Sequence, residues 1–176
     1  MKIKEIVKPV VVLVCICLVV TGALAYVNSV TQPIITKAEQ DKAAEARKQV
    51  LPTADDFTEI KSKLPQGVLD AYKANNGKGY VFTVSEKGYG GEIKLICGIN
   101  ADGSISDIST LTHSETSGIG SRVVDNSNGY SKNYKGKSVK DYEGVDAVSG
   151  ATISSKAYKK AVGDALAAYD DVKEAK

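Results

Sequence analysis

The sequence predicts an α+β fold, an antiparallel sheet packed by helices and preceded by one N-terminal transmembrane helix. Three features carry this expectation. Val10 to Val27 is apolar and uncharged. Between Val68 and His113, short strand-like runs alternate with Gly/Asn clusters. From Ile153 to about Lys173, apolar residues recur at helical spacing. A chain of 176 residues has room for one domain with a real core, a membrane segment and a connector.

The first element, VVVLVCICLVVTGALAYV, is about 18 residues long, near the lower limit for a helix that spans a bilayer. Lys2, Lys4 and Lys8 precede it, and Asn28 to Thr36 carries no charge. The positive-inside rule then leaves the N-terminus in the cytoplasm and everything after Asn28 outside. A cleaved signal peptide is the rival reading, because Ala23-Leu24-Ala25 resembles a processing site; the length of the run favours a retained anchor. Both place the soluble part outside the cytoplasm.

Pro33 is expected to mark the exit from the membrane helix. Ile34 to Leu51 has no Gly or Pro and is rich in Ala, Lys, Glu and Gln, which predicts a helix that Pro52 stops. Strands follow at Leu69–Tyr72, Tyr80–Val84, Ile93–Ile99 and Ser104–Leu111, with turns at Asn75-Asn76-Gly77 and Asn100-Ala101-Asp102-Gly103. Thr112 to Tyr142 reads as a long Ser/Gly/Asn-rich loop that holds the only His, and loops of that length are often functional. In the last element Tyr158, Ala161, Val162, Ala165, Leu166, Tyr169 and Val172 line one helical face, which should pack on the sheet. The chain thus divides into an anchor (1–28), a juxtamembrane helical stalk (29–66) and a soluble domain (67–176).

Composition removes several function classes. Net charge is +2 with basic residues dispersed, so no nucleic-acid partner is expected. Of three cysteines, Cys15 and Cys17 lie in the apolar run and Cys97 is alone in the soluble domain. That excludes a disulfide framework and a cysteine-held metal or cluster, and Cys97 reads as a small buried hydrophobe. The lone His113 has no defined partner for a nucleophile–base–acid set, and no P-loop is present. No metal site is expected.

The residues with chemical promise surround the start of the last helix: Asp146-Ala147-Val148-Ser149-Gly150-Ala151-Thr152-Ile153-Ser154-Ser155. Gly150 and Ala151 allow close approach to the backbone, and the first amides of a helix attract an anion. Lys156, Lys159 and Lys160 near the start, with Asp164, Asp170 and Asp171 later, oppose the helix dipole. A phosphate at the N-terminus would make those lysines favourable. On chemistry alone, ordinary capping by Thr152 or Ser154 with solvated lysines is the favoured reading, since Ser and Thr are common caps.

This stretch resembles the flavinylation motif of the FMN-binding domain found in the G subunit of the Rnf electron-transport complex and in the C subunit of the sodium-translocating NADH:quinone oxidoreductase. The resemblance implies FMN esterified through its phosphate to Thr152 by a flavin transferase, with Ser149, Gly150 and Ala151 around it. His113-Ser114-Glu115-Thr116-Ser117-Gly118-Ile119-Gly120 is similar to the family's H-x-E-T-P-G-L-G segment, with Ser117 for Pro and Ile119 for Leu. It implies that Glu115, Thr116, Gly118, Ile119 and Gly120 lie against the flavin ring. Glu45 to Pro52 is close to the stalk of the Rnf protein. The implied function is a membrane-anchored electron carrier with covalent FMN, working with other Rnf subunits that move electrons between ferredoxin and NAD and transport ions. A stand-alone extracytoplasmic flavoprotein shuttle and a non-redox binding module are the alternatives.

Overall fold

The computed structural model describes residues 3–61 and 64–174; Lys2, one of the basic residues used to orient the anchor, lies outside them. The chain forms two compact units, one up to Asp41 and one from Lys42 onward.

The first unit is helical. Helix α1 (Ile3–Val50) runs through both Pro9 and Pro33, so Pro33 does not end it. A proline inside a helix removes one backbone hydrogen bond and crowds the preceding turn, at a cost of about 3 kcal/mol. Around Pro33 three hydroxyls also bond carbonyls of the preceding turn. Ser29 Oγ donates to Tyr26 O at 2.7 Å, Thr31 Oγ1 to Val27 O at 3.0 Å and Thr36 Oγ1 to Gln32 O at 3.0 Å. Within Val7–Val50 lies an apolar window long enough to cross a bilayer, and none of it is buried by protein.

The second unit is a five-stranded antiparallel sheet in simple sequential order. Its strands are β1 (Phe57–Glu59), β2 (Val68–Ala74), β3 (Gly79–Lys87), β4 (Glu92–Asn100) and β5 (Ile105–His113). The α+β class is as expected, and four strands match those read from the sequence. β1 is additional: three residues at the sheet edge, too short for a periodic signal. The central strands read as nearly continuous apolar runs because both faces are covered. One face packs against helix α3 (Thr152–Glu174) through Phe82, Leu95, Cys97, Ala161, Val162, Ala165 and Leu166. The other packs Val81, Ile96 and Leu111 against Ala46, Val50 and Leu51 at the end of α1. Gly98 makes this second contact possible, since a Cβ there would sit 2.3 Å from Val50 O. Lys42 adds a hydrogen bond from its ammonium to Leu111 O.

The segment read as a loop is mostly short helical turns: α2 (Ser121–Val124) and 3₁₀ turns at Asn126–Asn128, Tyr130–Tyr134 and Tyr142–Gly144. Tyr130 and Tyr134 are buried and meet Tyr158 of α3, with ring centroids 5.7–5.8 Å apart. These aromatics pull the segment onto the core. Tyr130 donates to Asp146 O at 3.0 Å, which fixes the entry to the final turn and helix.

Cys97 is fully buried, and burial pushes its thiol pKa well above the ordinary value. Thiolate is the reactive form, so Cys97 should resist maleimide in the folded protein and label rapidly once denatured. Mass spectrometry of the Cys97 peptide before and after guanidinium checks this, and native labelling would show that the sheet opens.

Candidate functional site

The S-G-A-T turn is built by backbone geometry. Ala151 N–H donates to Val148 O at 2.9 Å across a tight turn, and Gly150 lies inside it at φ +81°. That left-handed conformation costs an L residue about 1 kcal/mol or more, while glycine adopts it freely. Helix α3 begins immediately after, with Ser155 N–H donating to Ala151 O at 2.9 Å. Ala151 therefore occupies the capping position, where a Ser, Thr, Asn or Asp would normally satisfy an orphan amide. Alanine offers no side-chain acceptor, so the amides of Thr152, Ile153 and Ser154 have neither an intrahelical nor a capping partner.

The three hydroxyls of the first turn have different fates. Ser155 is buried, and its Oγ accepts Val148 N–H at 3.0 Å, closing the turn from inside. Ser154 is buried and donates to Glu115 Oε2 at 2.5 Å. Thr152 is exposed, and its hydroxyl has no partner among the described residues. Capping by Thr152 or Ser154, the alternative read from the sequence, is not observed.

Glu115 is the hub of the site. It is buried, accepting Ser154 O–H on one carboxylate oxygen and Gly90 N–H on the other at 3.1 Å. The β3–β4 turn is thereby tied to the start of α3. The space is so tight that a Cβ on Gly120 would lie 2.2 Å from Glu115 Oε2, and one on Gly88 2.1 Å from Oε1. Glycine at 88 and 120 is what lets the backbone close around a carboxylate. His113 supports this from behind: its Nδ1 accepts Glu115 N–H at 3.3 Å, so Nε2 carries the proton and donates to Asp125 Oδ1 at 2.9 Å. His113 thus orients the loop.

A cavity of about 430 Å³ opens between these walls, within the size range of small-molecule and cofactor sites. Glu115, Thr116, Ile119, Gly120, Gly150, Ala151 and Thr152 all line it. Two stretches separated by about thirty residues in the chain are therefore brought together. Ser149 and Gly118 do not line it. Ser149 is exposed within the tight turn, and Gly118, at φ +80°, shapes its loop by donating N–H to Ser121 Oγ at 2.9 Å. Tyr89, Ile153 and Ser154 also line the cavity, although no motif marks them.

The charge pattern of α3 is narrower than the sequence suggests. Lys160 bonds the carboxylates of Glu86 and Asp164, which raises its pKa, chiefly through the Glu86 contact. Lys159 donates to Glu143 O at 2.6 Å. Lys156 alone of the three has no partner among the described residues, and it lies one helical turn from Thr152 on the same face.

These features fit a phosphorylated, largely apolar ligand: unpartnered amides and a free cation at one end, and an apolar cavity of suitable size beyond. Comparison with known proteins agrees. Residues 88–167 match the FMN-binding domain, and residues 1–50 match the RnfG N-terminal region. The chain is 31% identical to the G subunit of the proton-translocating ferredoxin:NAD(+) oxidoreductase complex of Clostridium ljungdahlii, over 85% of this chain and 84% of that protein. It is 31% identical to the G subunit of the Na(+)-translocating ferredoxin:NAD(+) oxidoreductase complex of Acetobacterium woodii, over 92% and 90%. The G subunit of the ion-translocating oxidoreductase complex of Methanosarcina acetivorans is 32% identical, over 93% of this chain and 94% of that protein. With both family segments matched in order and relatives aligned over most of their length, the chain belongs to the RnfG family, the G subunits of ion-translocating oxidoreductase complexes.

Proposed function

We propose that this chain is the membrane-anchored electron-carrier subunit of an Rnf-type complex and holds FMN covalently by a phosphoester to Thr152. The observation that carries this is the free Thr152 hydroxyl at an uncapped helix start, on the wall of a cofactor-sized cavity, while Ser154 and Ser155 are engaged by protein partners.

Bound FMN supplies transfer of one or two electrons through its ring. The protein supplies attachment, position and charge. The Thr152 Oγ1–P bond forms as the bond from phosphorus to the leaving group of the flavin donor breaks; the leaving group departs with the hydroxyl proton, and the ester has the mass of protein plus FMN less one water. The open amides of Thr152, Ile153 and Ser154 and the Lys156 ammonium favour a phosphate there, the helix terminus alone by about 0.3–1 kcal/mol. Glu115 holds the two walls in register, and Thr116, Ile119 and Gly120 form the loop side of the ring site. Gly150 and Ala151 keep side chains out of the phosphate's way, while Ser149 and Gly118 set the turns on either side.

The apolar part of α1 anchors the chain in the membrane, with residues 1–28 as the span and 29–66 as the connection to the flavin domain, 67–176. Lys2, Lys4 and Lys8 keep the N-terminus in the cytoplasm, so the flavin domain lies outside, where an unattached cofactor would diffuse away. The chain is a redox component of a ferredoxin:NAD oxidoreductase that translocates ions, without independent turnover, and a flavin transferase matures it. The ion path belongs to the other members of the complex. The apolar run Val10–Val27 has no acid, and relatives at equal 31% identity serve complexes named for protons and for sodium.

Intact-mass measurement of the full chain, made with a flavin transferase and purified from membranes, tests this. The expected mass exceeds that of the polypeptide by FMN less one water. A bare polypeptide mass despite active transferase would refute it.

A further inference from the structure

Tyr89 is a large side chain in an unusual place. It sits at the tip of the tight turn between β3 and β4, where small polar residues are usual. It is 71% exposed and has no aromatic or cation contact among the described residues, yet it lines the cavity as its only aromatic. The turn is not loose. Gly88 N–H donates to Gly91 O at 2.8 Å, and Gly90 N–H donates to Glu115 Oε1 at 3.1 Å. A Cβ on Gly90 would stand 2.2 Å from Ser114 O, and one on Gly91 2.8 Å from Ser114 Cβ. Glycines at 88, 90 and 91 thus bring the turn hard against Ser114 and Glu115, and the one residue with a side chain in that turn is placed at the cavity. Ile119 and Ile153, 53% and 55% exposed, also line the cavity. Three large apolar side chains left in water around one cavity point to a flat apolar ligand that covers them.

Building on the covalent-FMN reading, we propose that Tyr89 stacks on the isoalloxazine ring and is the positioning residue that orders it, held in place by the bond from Gly90 to Glu115. The stack fixes the ring in a chain whose ester fixes only the phosphate. It also puts an oxidisable phenol against the ring. When the flavin is excited by light, the phenol donates one electron to it and recovers that electron, with no net chemical change and no emission.

The test compares native flavin fluorescence in full-length, flavinylated wild type, Tyr89→Leu, Tyr89→Phe and Tyr89→Trp, each normalised to its own fluorescence after denaturation. Wild type and Tyr89→Trp should be dark when native. Tyr89→Leu and Tyr89→Phe should be severalfold brighter, because neither side chain offers an easily oxidised phenol. Tyr89→Phe keeps the packing and removes the easily oxidised phenol, so a merely structural role would leave it dark. Leu and Phe variants as dark as wild type, with equal loading, would overturn the proposal. Loss of denaturation-resistant flavin from wild type itself would instead refute the ester. In that case FMN is titrated into the four proteins, and Tyr89→Leu should bind about tenfold more weakly, as expected for removing one stacking aromatic. Unchanged affinity would overturn the role of Tyr89.

Discussion

Thr152→Ala is expected to abolish covalent flavin completely while leaving the fold intact. Thr152 is exposed, and its hydroxyl has no protein partner among the described residues, so the substitution should change stability by no more than about 0.5 kcal/mol. Ser154 and Ser155 cannot take over, because both are buried and hydrogen-bonded to Glu115 and Val148 respectively. Thr152→Ser restores a hydroxyl at the same helical position and should recover the flavin. In-gel fluorescence of denatured protein, made with active transferase, distinguishes these outcomes, and thermal melting checks that the variants fold. An undiminished band in Thr152→Ala would move the attachment elsewhere.

The second large effect is structural. Glu115→Ala should lower stability by about 1–3 kcal/mol and cut flavin loading with it. The substitution leaves the buried Ser154 O–H without its acceptor, an orphan that costs about 1–3 kcal/mol, and frees the N–H of the exposed Gly90, which water can reach. The β3–β4 turn and the start of α3 lose the group that joins them. Glu115→Gln should fall between. Its amide oxygen can accept from Ser154, but its NH₂ then faces Gly90 N–H, donor against donor. Denaturant titration of the three proteins gives the order wild type, Gln, Ala, and a Glu115→Ala protein as stable as wild type would remove Glu115 from the centre of the site.

Most of the scaffold was legible in the sequence because its patterns are strong. The face of α3 from Tyr158 to Tyr169 is buried as its spacing implies, and β3 to β5 lie where apolar runs meet Gly/Asn turns. β1 escaped because three residues carry no period. Pro33 does not end the helix, because a proline inside a helix removes one backbone hydrogen bond and leaves the turns on either side intact. Tyr130 and Tyr134 looked like loop residues, since an isolated aromatic among Ser, Gly and Asn gives no periodic signal. Only the fold reveals the cluster they form with Tyr158.

The site was legible through its two motifs, but the division of labour within them was not. Which serine faces Glu115 and which closes the turn depends on contacts between residues 39 and 7 apart in sequence. Tyr89, Ile153 and Ser154 enter the cavity only because the sheet, the Glu115 loop and α3 converge there. Likewise, of the three lysines near the start of α3 only Lys156 is without a partner among the described residues, because Glu86, Asp164 and Glu143 engage the other two.

Peptide mapping by mass spectrometry of the full chain, produced with its transferase and cleaved without breaking the phosphoester, addresses the central claim most directly. The expected result is one modified peptide, with fragmentation placing the FMN phosphate on Thr152 and leaving Ser149, Ser154 and Ser155 bare. Phosphoryl flavin on one of those serines, or an unmodified Thr152 peptide from a coloured preparation, would contradict it.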